Sequence, residues 1–221
     1  MATKTRQLPY IKRQRCCGFT DVFTPNFPWY LAAMSHSRNA ETKREAVGRE
    51  ELRQFIRDIP DFPRPGIIFR DITPLLLNPQ AFRAAIAYMV EPFRGRGIDV
   101  VAAAEARGFV FAAPVALELN AGFVPIRKPG KLPYETHRYT YELEYGTDTV
   151  EMHRDAIGSG HRILLIDDVL ATGGTMEACC RLVEKAGGEI VACAFLLELG
   201  YLRGRDRLRT YDVYSVLTID D

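Results

Sequence analysis

Leu164-Leu165-Ile166-Asp167-Asp168-Val169-Leu170-Ala171-Thr172-Gly173-Gly174-Thr175 is the stretch on which the reading of this chain turns. An apolar run of strand length ends in two adjacent carboxylates, and a small, glycine-rich turn then opens a helix. The free N–H groups and positive dipole end of such a helix make a phosphate cradle, to which Thr172 and Thr175 add hydroxyl donors. No Gly-Lys-Ser or Gly-Lys-Thr follows the glycines, so this is not a Walker loop, and the GxGxxG dinucleotide pattern is absent as well. Two adjacent anions beside a phosphate repel it unless they serve a neutral diol or a metal a few ångströms away. A sugar phosphate meets both requirements; an acidic loop with a glycine turn is the plainer alternative.

Outward from this stretch, strand-length apolar runs at residues 100–104, 122–126, 163–166 and 190–197 alternate with helical patterns at 110–119 and 176–186. Runs apolar at nearly every position belong to strands covered on both faces, which predicts a parallel α/β sheet with crossover helices and a ligand at its carboxyl edge. Residues 139–145 and 149–153 instead alternate polar and apolar around Gly146 and Asp148, as in an exposed hairpin serving as a lid. Upstream, Leu52, Phe55, Ile56 and Ile59 recur at helical spacing and predict a helix over 50–59, stopped by Pro60, Pro63 and Pro65. A short extended piece at 67–70 and a helix over about 80–93 follow. No internal repeat or low-complexity tract interrupts the pattern.

Bulk properties narrow the classes. With 221 residues, 47% hydrophobic and 26% charged, the chain suits one globular domain. A net charge of +1 leaves no global field for nucleic acid or a membrane surface, so any anion site must be local. No apolar run approaches the roughly 18 residues of a membrane span, and no charged start leads into a clean signal segment, which predicts a soluble, cytoplasmic protein. Cys16, Cys17, Cys179, Cys180 and Cys193 form neither a CxxC nor an even framework and read as reduced packing thiols. His36, His137, His153 and His161 are scattered in polar segments and read as ordinary surface residues. Residues 1–45 differ from the rest. Five basic residues precede the first acid, and the aromatic stretch 23–29 is broken by Pro25 and Pro28. An organellar targeting segment, a partner-binding arm and an upstream start misread ahead of Met34 all fit, so the domain is placed at 46–221.

In its strand, paired acids and TGGT loop, the chain resembles the phosphoribosyltransferase family. The segments Glu105-Ala106-Arg107-Gly108-Phe109, Arg127-Lys128-Pro129-Gly130-Lys131-Leu132-Pro133, Tyr141-Glu142-Leu143-Glu144-Tyr145-Gly146 and Pro65-Gly66-Ile67-Ile68-Phe69-Arg70-Asp71-Ile72 resemble its adenine-specific branch, over about residues 50–200. The resemblance implies a Rossmann-like α/β core with a small amino-terminal hood and a hairpin lid, a homodimer, and transfer of phosphoribose from phosphoribosyl pyrophosphate to adenine.

On this resemblance Asp167 and Asp168 hold the ribose hydroxyls, and Ala171, Thr172, Gly173, Gly174 and Thr175 bind the 5-phosphate. Arg107 follows a strand end, where Gly108 lets the backbone approach a ligand, and the family's cis peptide in this loop makes Glu105–Ala106 the candidate bond. Arg127, Lys128 and Lys131 offset the charge of the pyrophosphate, although alone they read as a solvated turn. Backbone groups of Ile68 and Arg70 meet the adenine edge, Phe69 stacks on its face, and Val169 or Leu170 packs opposite; read alone, Phe69 is a core residue. Glu144 manages a proton on the imidazole edge, its plain alternative being a solvated carboxylate. Magnesium is implied by the chemistry and held mainly by substrate oxygens, since no carboxylate and histidine cluster has metal spacing. A transferase for another base and a regulator that only senses the sugar phosphate are the rivals. Because periodicity and resemblance both begin after the extension, a chain starting near Gly48 is expected to fold and to retain the full chain's turnover. Loss of most turnover in the folded truncation counts against that boundary.

Overall fold

Strands apolar on both faces need cover on both sides, and the computed structural model, which describes residues 47–142 and 147–220, is layered accordingly. A 3-10 turn at Glu50–Phe55 leads into β1 (Arg57–Ile59), which pairs antiparallel with β2 (Phe69–Asp71). The helix expected over 50–59 is therefore only half present. Arg70 Nη1 donates to Asp58 Oδ2 at 2.6 Å and Arg57 Nε to Asp71 Oδ2 at 3.0 Å, and Pro60 favours extended backbone just before it, so pairing overrides the helical spacing. The short helix α1 (Thr73–Leu77) and α2 (Pro79–Val90) follow. The Asn78 side chain caps α2, accepting from the Gln80 and Ala81 amides at 3.0 Å each, with Pro79 in the first turn.

The remaining elements are β3 (Val100–Ala104), α3 (Arg107–Glu118), β4 (Gly122–Ile126), β5 (Thr136–Glu142), β6 (Thr147–His153), β7 (Arg162–Leu170), α4 (Gly174–Lys185), β8 (Glu189–Leu199) and β9 (Val213–Ile219). Strands β4, β3, β7, β8 and β9 form, in that order, an all-parallel sheet. The chain leaves β3 toward β4 on one side and returns through β7 on the other. The strand order thus reverses between β3 and β7, whose carboxyl ends frame the crevice where such sheets bind ligands.

Strand β7 is longer than its apolar run. It stays paired with β8 beyond the acids, Asp167 opposite Phe195 and Leu170 opposite Glu198, so the two carboxylates lie inside the strand. Side-chain alternation divides the core. Leu164 and Ile166 face α2 and α3 with Met89 and Phe111, whereas Ile163 and Leu165 face α4 and β6 with Leu182 and Met152. Cys179, Cys180 and Cys193 are free and buried, the last two with sulfurs 3.5 Å apart, as packing thiols would be.

Antiparallel β5 and β6 form the expected hairpin, joined by a Thr140–Thr149 hydroxyl contact at 2.9 Å. Tyr139 and Tyr141 lean on the α4 side of the core. The tip, with Glu144, and the extension at 1–45 lie outside the described residues. No helix among the described residues is long and apolar enough to cross a membrane.

Candidate active site

At the carboxyl end of β3, Glu105 is joined to Ala106 by a cis peptide, as the resemblance implied, and α3 begins one residue later at Arg107. Gly108 makes this arrangement possible, because a Cβ there would lie 2.9 Å from Asp167 Oδ1 and 3.2 Å from the Ile166 carbonyl oxygen. Only a residue without a side chain lets the first turn of α3 press against the acids of β7. Arg107 Nε lies 2.6 Å from Asp168 Oδ2, and its guanidinium carbon sits 5.4 Å from the Phe69 ring centre. A single cation thus bridges the acids and an aromatic face.

The acids differ. Asp168 is 4% exposed, and its Oδ2 is ion-paired with Arg107. Asp167 Oδ1 accepts the Asp168 amide at 2.9 Å. Burial, and after it the adjacent Asp168 carboxylate, push the Asp167 pKa well above the ordinary carboxylate range. The Arg107 cation offsets the burial of the Asp168 carboxylate.

Beyond Leu170 the chain turns through Ala171, Thr172 and Gly173 into α4. Gly173 has φ +82°, in the left-handed region, and no side chain caps the α4 amides, which leaves them for an anion. Thr175 Oγ1 lies 3.4 Å from the Tyr141 hydroxyl, which ties the hairpin to this corner. The loop, both acids and Arg107 open on a cavity of about 730 Å³ whose other wall is Ile68, Phe69, Arg70 and Val169. Phe69 is half-buried on that wall and belongs to neither core cluster. Its ring meets Phe62 edge-on at 5.3 Å, while Ile68 stays 44% exposed.

Arg127, Lys128 and Lys131 do not line that cavity. Arg127 Nε donates to Glu105 Oε2 at 2.7 Å and the Lys128 amide to Oε1 at 3.0 Å. These bonds outweigh the upward push of burial and hold the Glu105 pKa below its ordinary value. The Lys128 ammonium pairs with Asp148, and the Lys131 amide donates to the Lys128 carbonyl at 3.3 Å. His137, His153 and His161 do not line the cavity; His36 lies outside the described residues. Phe195, Leu199, Tyr201 and Leu202 do line it and were missed in the sequence. The signal for Tyr201 and Leu202 is position, a Gly-Tyr-Leu-Arg-Gly turn directly after β8 at the ligand-bearing edge, while Phe195 and Leu199 belong to that strand.

Residues 72–221 match the phosphoribosyl transferase domain. The chain is 57% identical over 176 residues to the adenine phosphoribosyltransferase of Rhodopirellula baltica, covering 80% of this chain and 85% of that protein. This chain belongs to the adenine phosphoribosyltransferase family. The adenine phosphoribosyltransferase of Thermotoga maritima is 58% identical over 167 residues, covering 76% of this chain and 96% of its own. Among solved structures, that of the Thermoanaerobacter pseudethanolicus adenine phosphoribosyltransferase matches with a TM-score of 0.76 at 51% identity, covering 78% of this chain and 100% of that one. The Saccharomyces cerevisiae adenine phosphoribosyltransferase, solved with adenine and an imino-altritol bisphosphate, gives 0.73 at 39% identity, covering 76% and 98%. The phosphoribosyltransferase fold expected from the sequence is the one observed.

The raised pKa of Asp167 has a stability consequence in this adenine phosphoribosyltransferase family member. Folding disfavours the ionised form, so the penalty is absent below the unfolded carboxylate pKa and grows as pH rises through the folded one. Asp167→Asn keeps an Oδ1 acceptor for the Asp168 amide and removes the charge. The variant is expected to melt above the wild type near pH 8, with the difference shrinking toward about pH 4. A pH-independent difference in melting temperature would sink this account.

Proposed function

We propose that the protein transfers the phosphoribosyl group of 5-phosphoribosyl-1-pyrophosphate to adenine, releasing AMP and pyrophosphate. The observation that carries this reading is the convergence of the acids, Arg107, the glycine turn and Phe69 on one cavity at the strand-order reversal. In this assignment Asp167 and Asp168, both lining the cavity, accept from the ribose hydroxyls. Ala171, Thr172, Gly173, Gly174 and Thr175 take the 5-phosphate through backbone amides and hydroxyls. Arg107 faces the pyrophosphate, with Arg127, Lys128 and Lys131 supplying further charge from the Glu105 side. Main-chain groups of Ile68 and Arg70 read the adenine edge, a neutral pattern that only fixed donors and acceptors distinguish, while Phe69 and Val169 enclose its faces.

Magnesium fits the site as a hard cation for oxygen donors, and when bound it neutralises pyrophosphate charge. Asp167 and Asp168 are the carboxylates placed to assist substrate oxygens in holding it. As the bond from C1 to pyrophosphate loosens, positive character develops on the sugar and a ring nitrogen of adenine attacks it. The lid keeps water from the activated carbon.

We further assign the protein to the cytoplasm as a homodimer. The exposed apolar stripe of Val110 and Leu117 on α3, beside Phe123 of edge strand β4, supports a second copy there. Residues 46–221 are the transferase domain, and the extension lies outside the chemistry.

Incubation of purified protein with magnesium, phosphoribosyl pyrophosphate and a panel of bases tests the reaction directly. Adenine is expected to yield AMP, with hypoxanthine, xanthine and orotate inert; preference for another base, or no product with any, would overturn the reading. Glu144 manages the proton on the imidazole edge of adenine. General acid–base help is worth about 10²–10⁴-fold, so Glu144→Gln should slow single-turnover AMP formation by at least the lower figure, with Glu142→Gln nearly silent. Equal rates in the two variants would remove Glu144 from the mechanism.

A further inference from the structure

The segment after β8 packs against the loop that follows β7. Two 3-10 turns, Gly200–Leu202 and Gly204–Arg207, place Gly204 against that loop with no room for a side chain. A Cβ on Gly204 would sit 2.3 Å from the Ala171 carbonyl oxygen and 2.8 Å from Leu170 Cδ1. A Cβ on Gly173 would sit 2.5 Å from the Gly204 carbonyl oxygen. The two backbones therefore touch, and a small shift in one is transmitted to the other.

What holds Gly204 there is the residue beside it. Arg205 donates through Nε to Glu198 Oε1 at 2.6 Å and through Nη2 to Glu198 Oε2 at 2.7 Å, and its Nη1 donates to the Val213 carbonyl at 3.0 Å. Ser215 Oγ adds a third bond to the carboxylate at 2.7 Å. Glu198 is 5% exposed and sits on β8 opposite Leu170, the residue directly before the phosphate loop. Arg207 ties the same turn forward, donating to Glu177 of α4 at 3.4 Å. Only the carboxylate of this pair is buried, the Arg205 side chain being half exposed, so the pair adds little stability, whereas its bidentate geometry fixes position. Here that position is shared with the main chain of Ala171 and Gly173.

We propose that Glu198 and Arg205 are positioning residues for phosphoribosyl binding, their bidentate pair seating Gly204 against Ala171 and Gly173 and so setting the loop that takes the 5-phosphate. The inference rests on the proposed transferase reading of that loop. Its consequence is selective. Ligands bearing a 5-phosphate sense the pair, and ligands that lack it do not, because neither residue lines the cavity and the main chain they seat Gly204 against is that of Ala171 and Gly173.

The full chain is compared with Arg205→Met, Arg205→Lys and Gly204→Ala, measuring Kd for AMP and for adenosine together with KM for each substrate. Arg205→Met and Gly204→Ala are expected to weaken AMP binding and raise the KM for phosphoribosyl pyrophosphate about tenfold. Adenosine affinity and the KM for adenine should stay within about twofold, and Arg205→Lys should recover part of the loss. Equal losses for AMP and adenosine, or a lowered melting temperature with unchanged AMP affinity, would overturn the proposal. If Arg205→Met does not fold, unchanged AMP affinity in Arg205→Lys and Gly204→Ala overturns it equally. Failure of the wild type to bind AMP at all would instead strike the transferase reading, and an active wild type with phosphate-indifferent variants strikes this inference alone.

Discussion

Two consecutive carboxylates inside a central strand set the terms for everything around them. Burial and mutual repulsion disfavour charge on Asp167, and the Asp168 carboxylate is nearly shut off from water. The surroundings answer in three ways: Arg107 brings a cation to Asp168, the Asp168 amide supports Asp167, and the uncapped start of α4 turns its positive end toward the same corner. Gly108 is the steric condition for the first of these, since any side chain there would push α3 and its arginine away from β7.

The sheet explains why these groups meet. Arg107 and Asp168 are sixty-one positions apart in sequence, and only a reversal of strand order places the ends of β3 and β7 side by side. Flanking pieces also carry polar fastenings. The β1–β2 pair is cross-linked by Asp58–Arg70 and Arg57–Asp71, and the turn after β8 by Glu198–Arg205. Such fastenings define position better than they add stability, which suits segments whose task is to hold a wall of the cavity.

Much of this was legible in the chain. The apolar runs at 100–104 and 122–126 coincide with β3 and β4, and the alternation at 139–145 and 149–153 announces the hairpin of β5 and β6. The cradle and the acids could be named because their chemistry is local: glycines, hydroxyls and carboxylates within twelve consecutive residues. Errors arose where tertiary pairing outweighed local spacing. Residues 57–59 had helical periodicity and became a strand because Asp71, Arg70 and Phe69 offered partners. The end of β7 was read short, since apolarity marks covered residues, and β8 continues to pair the chain beyond them.

By itself, then, the sequence determined a parallel α/β fold, a sugar-phosphate motif and its adenine-branch resemblance, because each is encoded in residues close together along the chain. Only the tertiary structure decided which distant groups share the cavity. It brought Arg107 to Phe69 and Asp168, drew Arg127 and Lys128 onto Glu105 and Asp148, and placed Tyr201 and Leu202 on the wall. The reason is physical: a cation's partner is chosen by proximity after folding, and sequence spacing carries no record of which carboxylate will stand within hydrogen-bonding distance.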